Sequence, residues 1–396
     1  MNLRKNFRIW WQKPRVASDF SQEREVSFLE LFYDLVYVVV IAEVAHHLTY
    51  HLSWSGLAEF SLMMVFVMWA WLNGMFYHSL HGSNDVSMRV FTFMQMILVG
   101  GMVVFIGDMF TDGAAGFAVV FALFQLLFAG LWFRTGYHDP GHRSVANSYS
   151  YIYILSALAM FWSATLTNAQ TVQVLSAVIG INMLLPFMTY FRKKTRKAAV
   201  AATKATGDSV ERIGLITIIA LGEVVVSSIN GVNDLESVTP RAVIVGTLGM
   251  LIAIGIWWLY FDFISRRLPK KGFWNNQLFP LLHIPLIAAI AATGGVLRDM
   301  ISHNDAALEP TTRWLFVLSV SAGILTVAIL LRLIKQPSAA IQKYTRKGIS
   351  TIVVSALIIL ALGLTSFGHI ALLASVFVAL LAPVLYGIRI WIRAQR

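Results

Sequence analysis

The sequence predicts an all-α, polytopic membrane protein with about twelve transmembrane helices. Of its 396 residues, 57% are hydrophobic and only 13% are charged, whereas soluble domains carry about 25% charged residues. Apolar runs of roughly 20 residues, the length needed to cross a bilayer, recur along the chain. Lysine and arginine gather on alternate loops. The absence of cysteine excludes disulfides and thiolate metal sites.

The twelve predicted spans follow one another with short connections. They cover residues 27–51, 58–80, 89–108, 114–134, 147–167, 170–191, 209–230, 241–263, 278–299, 313–333, 348–365 and 367–390. Residues 144–191 contain no Lys, Arg, Asp or Glu, and this stretch is too long for one span. We therefore predict a hairpin that turns near 165–170. The uncharged stretch 348–388 predicts a second hairpin that turns near 366–369.

The positions of the basic residues predict the orientation. All of the 31 lysines and arginines lie at the two termini or on alternate loops, except Arg212, Arg241, Arg298 and Arg313. Because cytoplasmic loops are enriched in Lys and Arg, both termini are predicted to be cytoplasmic, in the bacterial cytoplasmic (inner) membrane. This placement explains the net charge of +11 without a nucleic-acid partner. Residues 1–26 are predicted to form a basic, aromatic segment on the anionic inner leaflet.

An internal duplication is predicted, with one six-helix repeat at 27–192, a basic cytoplasmic linker at 193–207 and a second repeat at 208–396. Matching features recur in order in the two copies: Ser27/Asp208 and Glu30/Glu211, Gly100-Gly101/Gly294-Gly295, Ser156/Ser355, and Pro186/Pro383. Because six is even, both copies enter the membrane from the same side. Transporters with such parallel repeats place their site between the halves, near the midplane.

Two acids share one face at the start of the first span. Ser27 and Glu30 have the spacing of a capping box, as do Asp208 and Glu211 in the second copy, which predicts a structural role for all four residues. Asp34 lies one turn beyond Glu30, about 10 Å into the membrane. Two carboxylates this close favour a shared proton, a bound cation or a recruited arginine. We predict that Asp34 is a proton or cation site, and the alternative is a hydrogen bond to a neighbouring helix.

Further acids lie deeper, in the outer half of the membrane. Glu223 follows Gly222, where close approach of another helix is expected, and Glu43 is one turn from His47, which predicts an ion pair. Both acids are candidates for ion or substrate binding, and a structural role is an equal alternative. His46, His47 and His51 are expected to face the headgroups, and no metal site is predicted.

Several other polar side chains reach a similar depth from the inner side. They are Gln95, His283, Asn73 and Asn182, and they predict a polar belt whose members are candidate ligands. A lone histidine is more often structural. Helix kinks are predicted at Pro186, Pro285 and Pro383.

Several motifs resemble one bacterial family. They are VSFLELFYDLVYV at 26–38 with Ala45-His46, SVERIGL at 209–215 leading to Ala220-Leu221-Gly222-Glu223, and WWLYFD at 257–262. This combination resembles the bacterial low temperature requirement protein A family over nearly the whole chain. The resemblance implies a multi-spanning bacterial membrane protein linked by name to growth in the cold, without a settled activity. It places Asp34, Glu211 and Glu223 on matching positions, whereas at Glu43 the family favours glutamine.

These observations favour a secondary transporter or ion-translocating protein that uses intramembrane carboxylates. Its partners would be the lipid bilayer, a proton or monovalent cation and an unidentified small substrate, and a homo-oligomer is compatible with the sequence. No P-loop, GxGxxG or HExxH motif is present, so neither an enzyme nor a bound cofactor is predicted. The alternatives are an ion channel, since the duplicated architecture is similar to endolysosomal potassium channels, a non-transporting sensor or scaffold needed in the cold, and an embedded enzyme acting on lipid-linked substrates.

Overall fold

A helix overlaps each predicted span in the computed structural model, which describes residues 10–15, 25–83, 85–304, 307–336 and 339–394. The helices are α1 (Phe28–Tyr50), α2 (Trp54–His81), α3 (Val86–Ile106), α4 (Ala114–His138), α5 (Arg143–Ser163), α6 (Asn168–Phe191), α7 (Arg196–Ala202), α8 (Gly207–Asn233), α9 (Pro240–Phe263), α10 (Phe273–Ser302), α11 (Pro310–Leu333), α12 (Ala339–Ala361) and α13 (His369–Ala394). The described residues contain no β-strand, so the all-α prediction is confirmed.

Ten helices of the described chain are long and apolar enough to cross a membrane. The long helices α1 and α5 are not among them. The protein is therefore a multi-pass helical membrane protein, and the count of twelve spans stays a prediction.

Both predicted hairpins turn where the uncharged stretches suggested. α5 ends at Ser163 and α6 begins at Asn168. Thr167 caps α6 in a capping box with Gln170, whose side chain accepts from the Thr167 amide at 3.3 Å. A 3-10 turn at Leu362–Leu364 precedes the second turn, before α13 starts at His369. α12 departs most from its prediction, since it begins at Ala339 rather than near 348.

The chain divides into two compact units. The first unit comprises the described residues of 1–43, 65–212 and 272–277. Its core is aromatic, because Phe66 of α2 packs edge-to-face on Phe117 and Phe121 of α4. The second unit comprises the described residues of 44–64, 213–271 and 278–396, and its core is aliphatic, with Ile290 and Val320 fully buried. This division describes packing, and the predicted repeat boundaries stay a prediction.

The N-terminal segment is held against the first unit by polar contacts. The Gln12 amide donates to Oδ2 of Asp85 at 2.9 Å, and Arg134 donates to the Gln12 carbonyl. The Arg134 guanidinium also lies 4.3 Å from the centre of the Trp11 ring, a cation–π contact. The segment predicted to lie on the membrane surface is therefore fixed by protein contacts at residues 11–12. Its earlier part, residues 1–9, lies outside the described residues.

Asp85 is the acid that organises this contact, just before α3. Burial by itself would raise the pKa of Asp85, but hydrogen bonds from Ser83, Ser87 and the Gln12 amide, together with the Arg134 charge, hold it below its ordinary value. Asp85 also accepts from the Met88 amide as the N-cap of α3. Its negative charge therefore fixes both a helix start and the N-terminal segment.

Prolines at the three predicted kink positions lie inside continuous helices. A proline has no amide hydrogen, so Pro383 leaves the Ala379 carbonyl without its intrahelical donor. Ser355 of α12 donates to that carbonyl at 2.8 Å. In the first copy, Ser156 of α5 donates at 3.0 Å to the side chain of Asn182, four residues before Pro186. In both predicted copies, a serine therefore donates a hydrogen bond to the residue that lies four positions before the helix proline.

Replacing Ser355 with alanine should destabilise the protein by about 1 kcal/mol, as expected for a hydrogen bond between membrane helices. In a Pro383→Ala background the cost should nearly vanish, because the restored amide at position 383 supplies the donor. Thermal unfolding of the purified variants measures both effects. Ser350→Ala, at an exposed serine of the same helix, is the matched control. An equal cost in both backgrounds would refute this account.

Candidate functional site

The first turn of α1 carries the predicted capping box. The Ser27 amide and hydroxyl each donate to Oε2 of Glu30 at 2.9 Å, and the Glu30 amide donates to the Ser27 hydroxyl at 3.3 Å. This reciprocal pattern satisfies amides that a helix start otherwise leaves without partners. Glu30 therefore fixes the start of α1, and its side chain is buried.

Asp34 lies one turn further and forms a bidentate ion pair with Arg212 of α8. Nε and Nη2 of Arg212 donate to the two carboxylate oxygens at 3.0 and 2.6 Å. Trp71 of α2 donates its indole N–H to Oδ1 of Asp34 at 2.8 Å. The exposed fractions of Asp34 and Arg212 are 2% and 0%. The recruited arginine, one of the alternatives left open by the sequence, is what the structure contains.

Glu30 and Asp34 face the same guanidinium. Nη1 of Arg212 lies 3.6 Å from Oε1 of Glu30, an ion-pair distance that exceeds a normal hydrogen bond. We refer to Glu30, Asp34 and Arg212 as the acid–arginine cluster. The cluster thus brings two acidic side chains to one buried guanidinium, at a depth where neighbouring like charges are costly.

Two tyrosines extend the cluster along α1. The Arg212 guanidinium lies 5.7 Å from the centre of the Tyr33 ring. The hydroxyl of Tyr33 is 3.0 Å from that of Tyr37. Gly74 of α2 makes room for Tyr33, because a Cβ at that position would lie 2.1 Å from the tyrosine hydroxyl. A glycine is therefore required for α1 and α2 to pack as they do.

The second predicted capping box does not form. α8 begins at Gly207, so Asp208 lies within the first turn rather than at the N-cap. The hydroxyl of Ser209 instead accepts from the Thr206 amide at 3.0 Å. Glu211 is exposed, unlike its counterpart Glu30. The helix starts at Gly207, two residues earlier than an N-cap at Asp208 requires, and this moves Asp208 and Glu211 out of capping register.

Glu223 is a buried acid of the second unit. Its Oε1 accepts from the Ser227 hydroxyl at 3.0 Å, and it interacts electrostatically with His46 and Arg298. The close helix approach predicted at Gly222 is wrong, since no described neighbour lies within 4 Å of a Cβ placed there. Helix α8 is instead approached closely by α10 at Gly294, where a Cβ would lie 3.2 Å from the Val224 Cα.

Glu43 is half-buried near the middle of α1. A Cβ placed on Gly107 would lie 3.4 Å from its Oε1. Within the described residues the Glu43 carboxylate makes no ion pair. The predicted pair with His47 is wrong, because His47 turns to Glu59 of α2, with Nε2 and Oε2 3.0 Å apart.

His283 has the geometry of a structural histidine. Its Nδ1 is 2.7 Å from the Phe279 carbonyl, so this nitrogen carries the hydrogen, and Nε2 then accepts from the Tyr260 hydroxyl at 3.0 Å. Both ring nitrogens of a neutral imidazole are thereby satisfied. This arrangement gives His283 no free position for a ligand.

The other members of the predicted polar belt have separate surroundings. Asn73 donates to the Trp69 carbonyl at 2.8 Å and accepts from Tyr153. Asn182 accepts from Ser156, as described above. Gln95 is fully buried, and neither side-chain atom has a hydrogen-bond partner among the described residues. Similar depth therefore did not predict shared contacts.

Arg212 is the site residue whose role the sequence did not assign. It was visible as a lone arginine inside an apolar segment, which normally requires an acidic partner. The identity of that partner depends on how α1 and α8 pack, which a single sequence does not specify. The sequence did not single out Trp71 as a site residue, because tryptophan is common in membrane helices.

Comparisons with known proteins agree with the motifs. The sequence model of the bacterial low temperature requirement A protein (LtrA) family matches residues 25–388. An uncharacterised protein of Rhizobium meliloti (strain 1021) is 24% identical over 309 residues, which cover 74% of this chain and 72% of that protein. No solved structure matches the chain. The chain therefore belongs to the LtrA family.

The Asp34→Asn substitution should destabilise the protein by about 3–5 kcal/mol, because it leaves the buried guanidinium without its main partner. A second substitution, Arg212→Met, should recover most of this loss by removing the unbalanced charge. Thermal unfolding in detergent, followed by gel filtration, measures both effects.

The matched control is Glu211→Gln, an exposed acid of α8 that should leave stability nearly unchanged. If Asp34→Asn is as stable as this control, the ion pair does not contribute in the way described.

Proposed function

We propose that this LtrA family member is a secondary transporter, or another ion-translocating protein, of the bacterial cytoplasmic membrane. In this proposal the acid–arginine cluster exchanges a proton or a monovalent cation. The observation that carries the proposal is the geometry of the cluster, since two buried acidic side chains lie within ion-pair distance of the same guanidinium. Two carboxyl groups that share a buried site favour the uptake of a proton or a cation by one of them.

Glu30 is the group that we assign to the exchange. Asp34 is matched by two short hydrogen bonds from Arg212 and one from Trp71, so its charge is already compensated. Glu30 lies further from the guanidinium, at 3.6 Å. Uptake of a proton or cation at Glu30 would leave the Asp34–Arg212 pair unbroken.

A cavity gives Glu30 access from outside the protein. It has a volume of about 540 Å³, and its lining includes Glu30, His78 of α2 and Arg89 of α3. We call it the Glu30 cavity. The predicted orientation places the start of α1 at the cytoplasmic side, so this conformation would exchange its ion with the cytoplasm. Asp34 then serves as the fixed counter-charge of Arg212.

The proposal includes the twelve spans, the two parallel repeats and the cytoplasmic termini expected from the sequence. Support comes from Ser156 and Ser355, since each donates to a residue that lies four positions before a helix proline. In addition, the ion pair joins the first helix of one predicted repeat to the first helix of the other. Glu223 and Glu43 are candidate acids for the outer part of an ion path.

Ion flux into proteoliposomes tests the function directly. Purified protein would face proton, potassium and sodium gradients in turn, with dyes reporting ion movement. We expect wild-type flux under at least one gradient and loss of that flux in Glu30→Gln, which removes the exchanging carboxylate. The same substitution should lower the free energy of unfolding by about 1 kcal/mol, because it alters the helix cap.

Glu211→Gln is the matched control, since it changes the corresponding acid of the second copy at an exposed position. It should retain wild-type flux. Full flux in a well-folded Glu30→Gln protein would reject the assignment of Glu30, and the absence of flux under every gradient would count against ion translocation.

A further inference from the structure

A groove on the second unit lies between the two helices of the C-terminal hairpin, α12 and α13. Its volume is about 690 Å³, and its lining comes from residues 350–362 of α12 and 374–382 of α13. Val354, Ile358 and Val378 on this lining are exposed, as expected for side chains that face lipid tails. None of the residues assigned to ion exchange lies on it.

Three hydroxyl groups on the lining already donate hydrogen bonds within the hairpin. Ser350 and Thr351 donate to carbonyls of their own helix at 3.0 and 2.8 Å. Ser355 donates to the Ala379 carbonyl of α13 at 2.8 Å. A ligand in the groove therefore meets mainly methyl and methylene groups. Such a lining favours a hydrocarbon chain over a polar solute.

The groove is long enough to hold an acyl chain. Its α12 lining extends from Ser350 to Leu362, about 18 Å at a rise of 1.5 Å per residue. One leaflet contributes about 15 Å to the hydrocarbon core of a bilayer. A chain that starts at the Ser350 end can therefore follow the groove through its leaflet.

Basic residues lie beyond the Ser350 end of the groove. Arg346 and Lys347 each precede a lining residue of α12 by four positions, and this spacing places them on the helix face that lines the groove. Arg389 follows the lining residue Ala382 of α13 by seven positions, with the same consequence. We refer to Arg346, Lys347 and Arg389 as the hairpin basic cluster. All three side chains are exposed, and among the described residues no carboxylate lies within ion-pair distance of them.

The packing of the hairpin brings these charges to a similar depth. Gly348 of α12 lies beside Tyr386 of α13, since a Cβ placed on Gly348 would lie 3.5 Å from the Tyr386 ring. Because the two helices are antiparallel, Lys347 then lies level with position 387, two residues before Arg389. At about 1.5 Å per residue, the three basic residues lie within one helical turn of each other along the axis. Their charges thus form one site at the end of the groove.

A ligand that matches both features has an apolar chain and an anionic head. We propose that the α12–α13 groove binds an anionic phospholipid, with its phosphate at the hairpin basic cluster and one acyl chain in the groove. Clusters of Lys and Arg at the cytoplasmic ends of membrane helices attract the acidic lipids of that leaflet. The predicted orientation places the cluster on this side, since the C-terminus is expected in the cytoplasm.

A second copy of the chain matches the groove less well. Two copies in one membrane have the same orientation, so a symmetric contact through this face would bring the two hairpin basic clusters together. Like charges at such a contact oppose association, whereas a lipid phosphate neutralises them. The charges therefore favour a lipid over a second copy.

Binding of tail-labelled lipids to the detergent-purified full-length protein tests the inference. Phosphatidylglycerol, which has a phosphate and no cation, should bind about tenfold more tightly than phosphatidylcholine, whose ammonium group is repelled by basic residues. This preference should be lost in a triple variant of the hairpin basic cluster, Arg346→Gln, Lys347→Gln and Arg389→Gln. Equal binding of the two lipids to the wild type would overturn the inference.

A second triple variant is the matched control for the loss of charge. It carries Arg192→Gln, Lys193→Gln and Lys194→Gln, which remove the same charge from exposed positions outside the groove. This control should keep the wild-type preference for phosphatidylglycerol. An equal preference in both triple variants would show that the hairpin basic cluster does not select the lipid.

A further arm tests the place of the acyl chain. Ala382→Phe fills the groove at an exposed lining position and should weaken phosphatidylglycerol binding by about tenfold. Leu385→Phe, at an exposed position of α13 outside the lining, is the control and should bind as the wild type does. Glycerophosphoglycerol, which has the headgroup without acyl chains, should fail to displace the labelled lipid at equal concentration. Unchanged binding in Ala382→Phe, or displacement as effective as that by the intact lipid, would overturn the assignment.

Light scattering of the same samples separates a lipid from a second copy. We expect Ala382→Phe to have the same oligomeric state as the wild type. A wild-type oligomer that dissociates in Ala382→Phe while phosphatidylglycerol binding is retained would assign the groove to a second copy and overturn the inference.

Discussion

The burial of Asp34 against Arg212 is the interaction on which the first unit depends. A carboxylate and a guanidinium that are only 2% and 0% exposed are stable only when their hydrogen bonds are satisfied, so the second turns of α1 and α8 must keep a fixed distance. Trp71 supplies a further donor, and Gly74 lets Tyr33 approach α2 closely. Capping by Ser27 then places Glu30 beside the same guanidinium. The geometry of the cluster thus follows from one ion pair.

The two predicted copies differ at this point. Glu30 is buried beside Arg212, whereas the corresponding Glu211 is exposed. Asp34 belongs to one predicted copy and Arg212 to the other, so under the proposed duplication different substitutions would produce a single cluster rather than two. The acid–arginine cluster and the Glu30 cavity therefore lie together at the start of α1. A single exchange site is consistent with that asymmetry.

Much of the helical architecture could be predicted from apolar segment lengths and charge-free stretches, because these report directly on the solvent that a segment tolerates. The contacts between side chains were harder to predict from the sequence. Depth along a helix follows from residue spacing, but the direction a side chain faces and its partner depend on helix packing. For this reason the predicted Glu43–His47 ion pair and the close helix approach predicted at Gly222 were both wrong. The predicted capping role of Asp208 was wrong because the helix begins at Gly207. Arg212 was visible as an anomaly but not as the partner of Asp34.

In the proposed mechanism, Glu30 takes up a positive charge while the Asp34–Arg212 pair stays in place. Infrared titration of the protein in bilayers tests it most directly, because protonated and ionised carboxyl groups absorb at different frequencies. We predict a titrating carboxyl band in the wild type that is missing in Glu30→Gln and retained in Glu211→Gln. A band that persists in Glu30→Gln would contradict the claim.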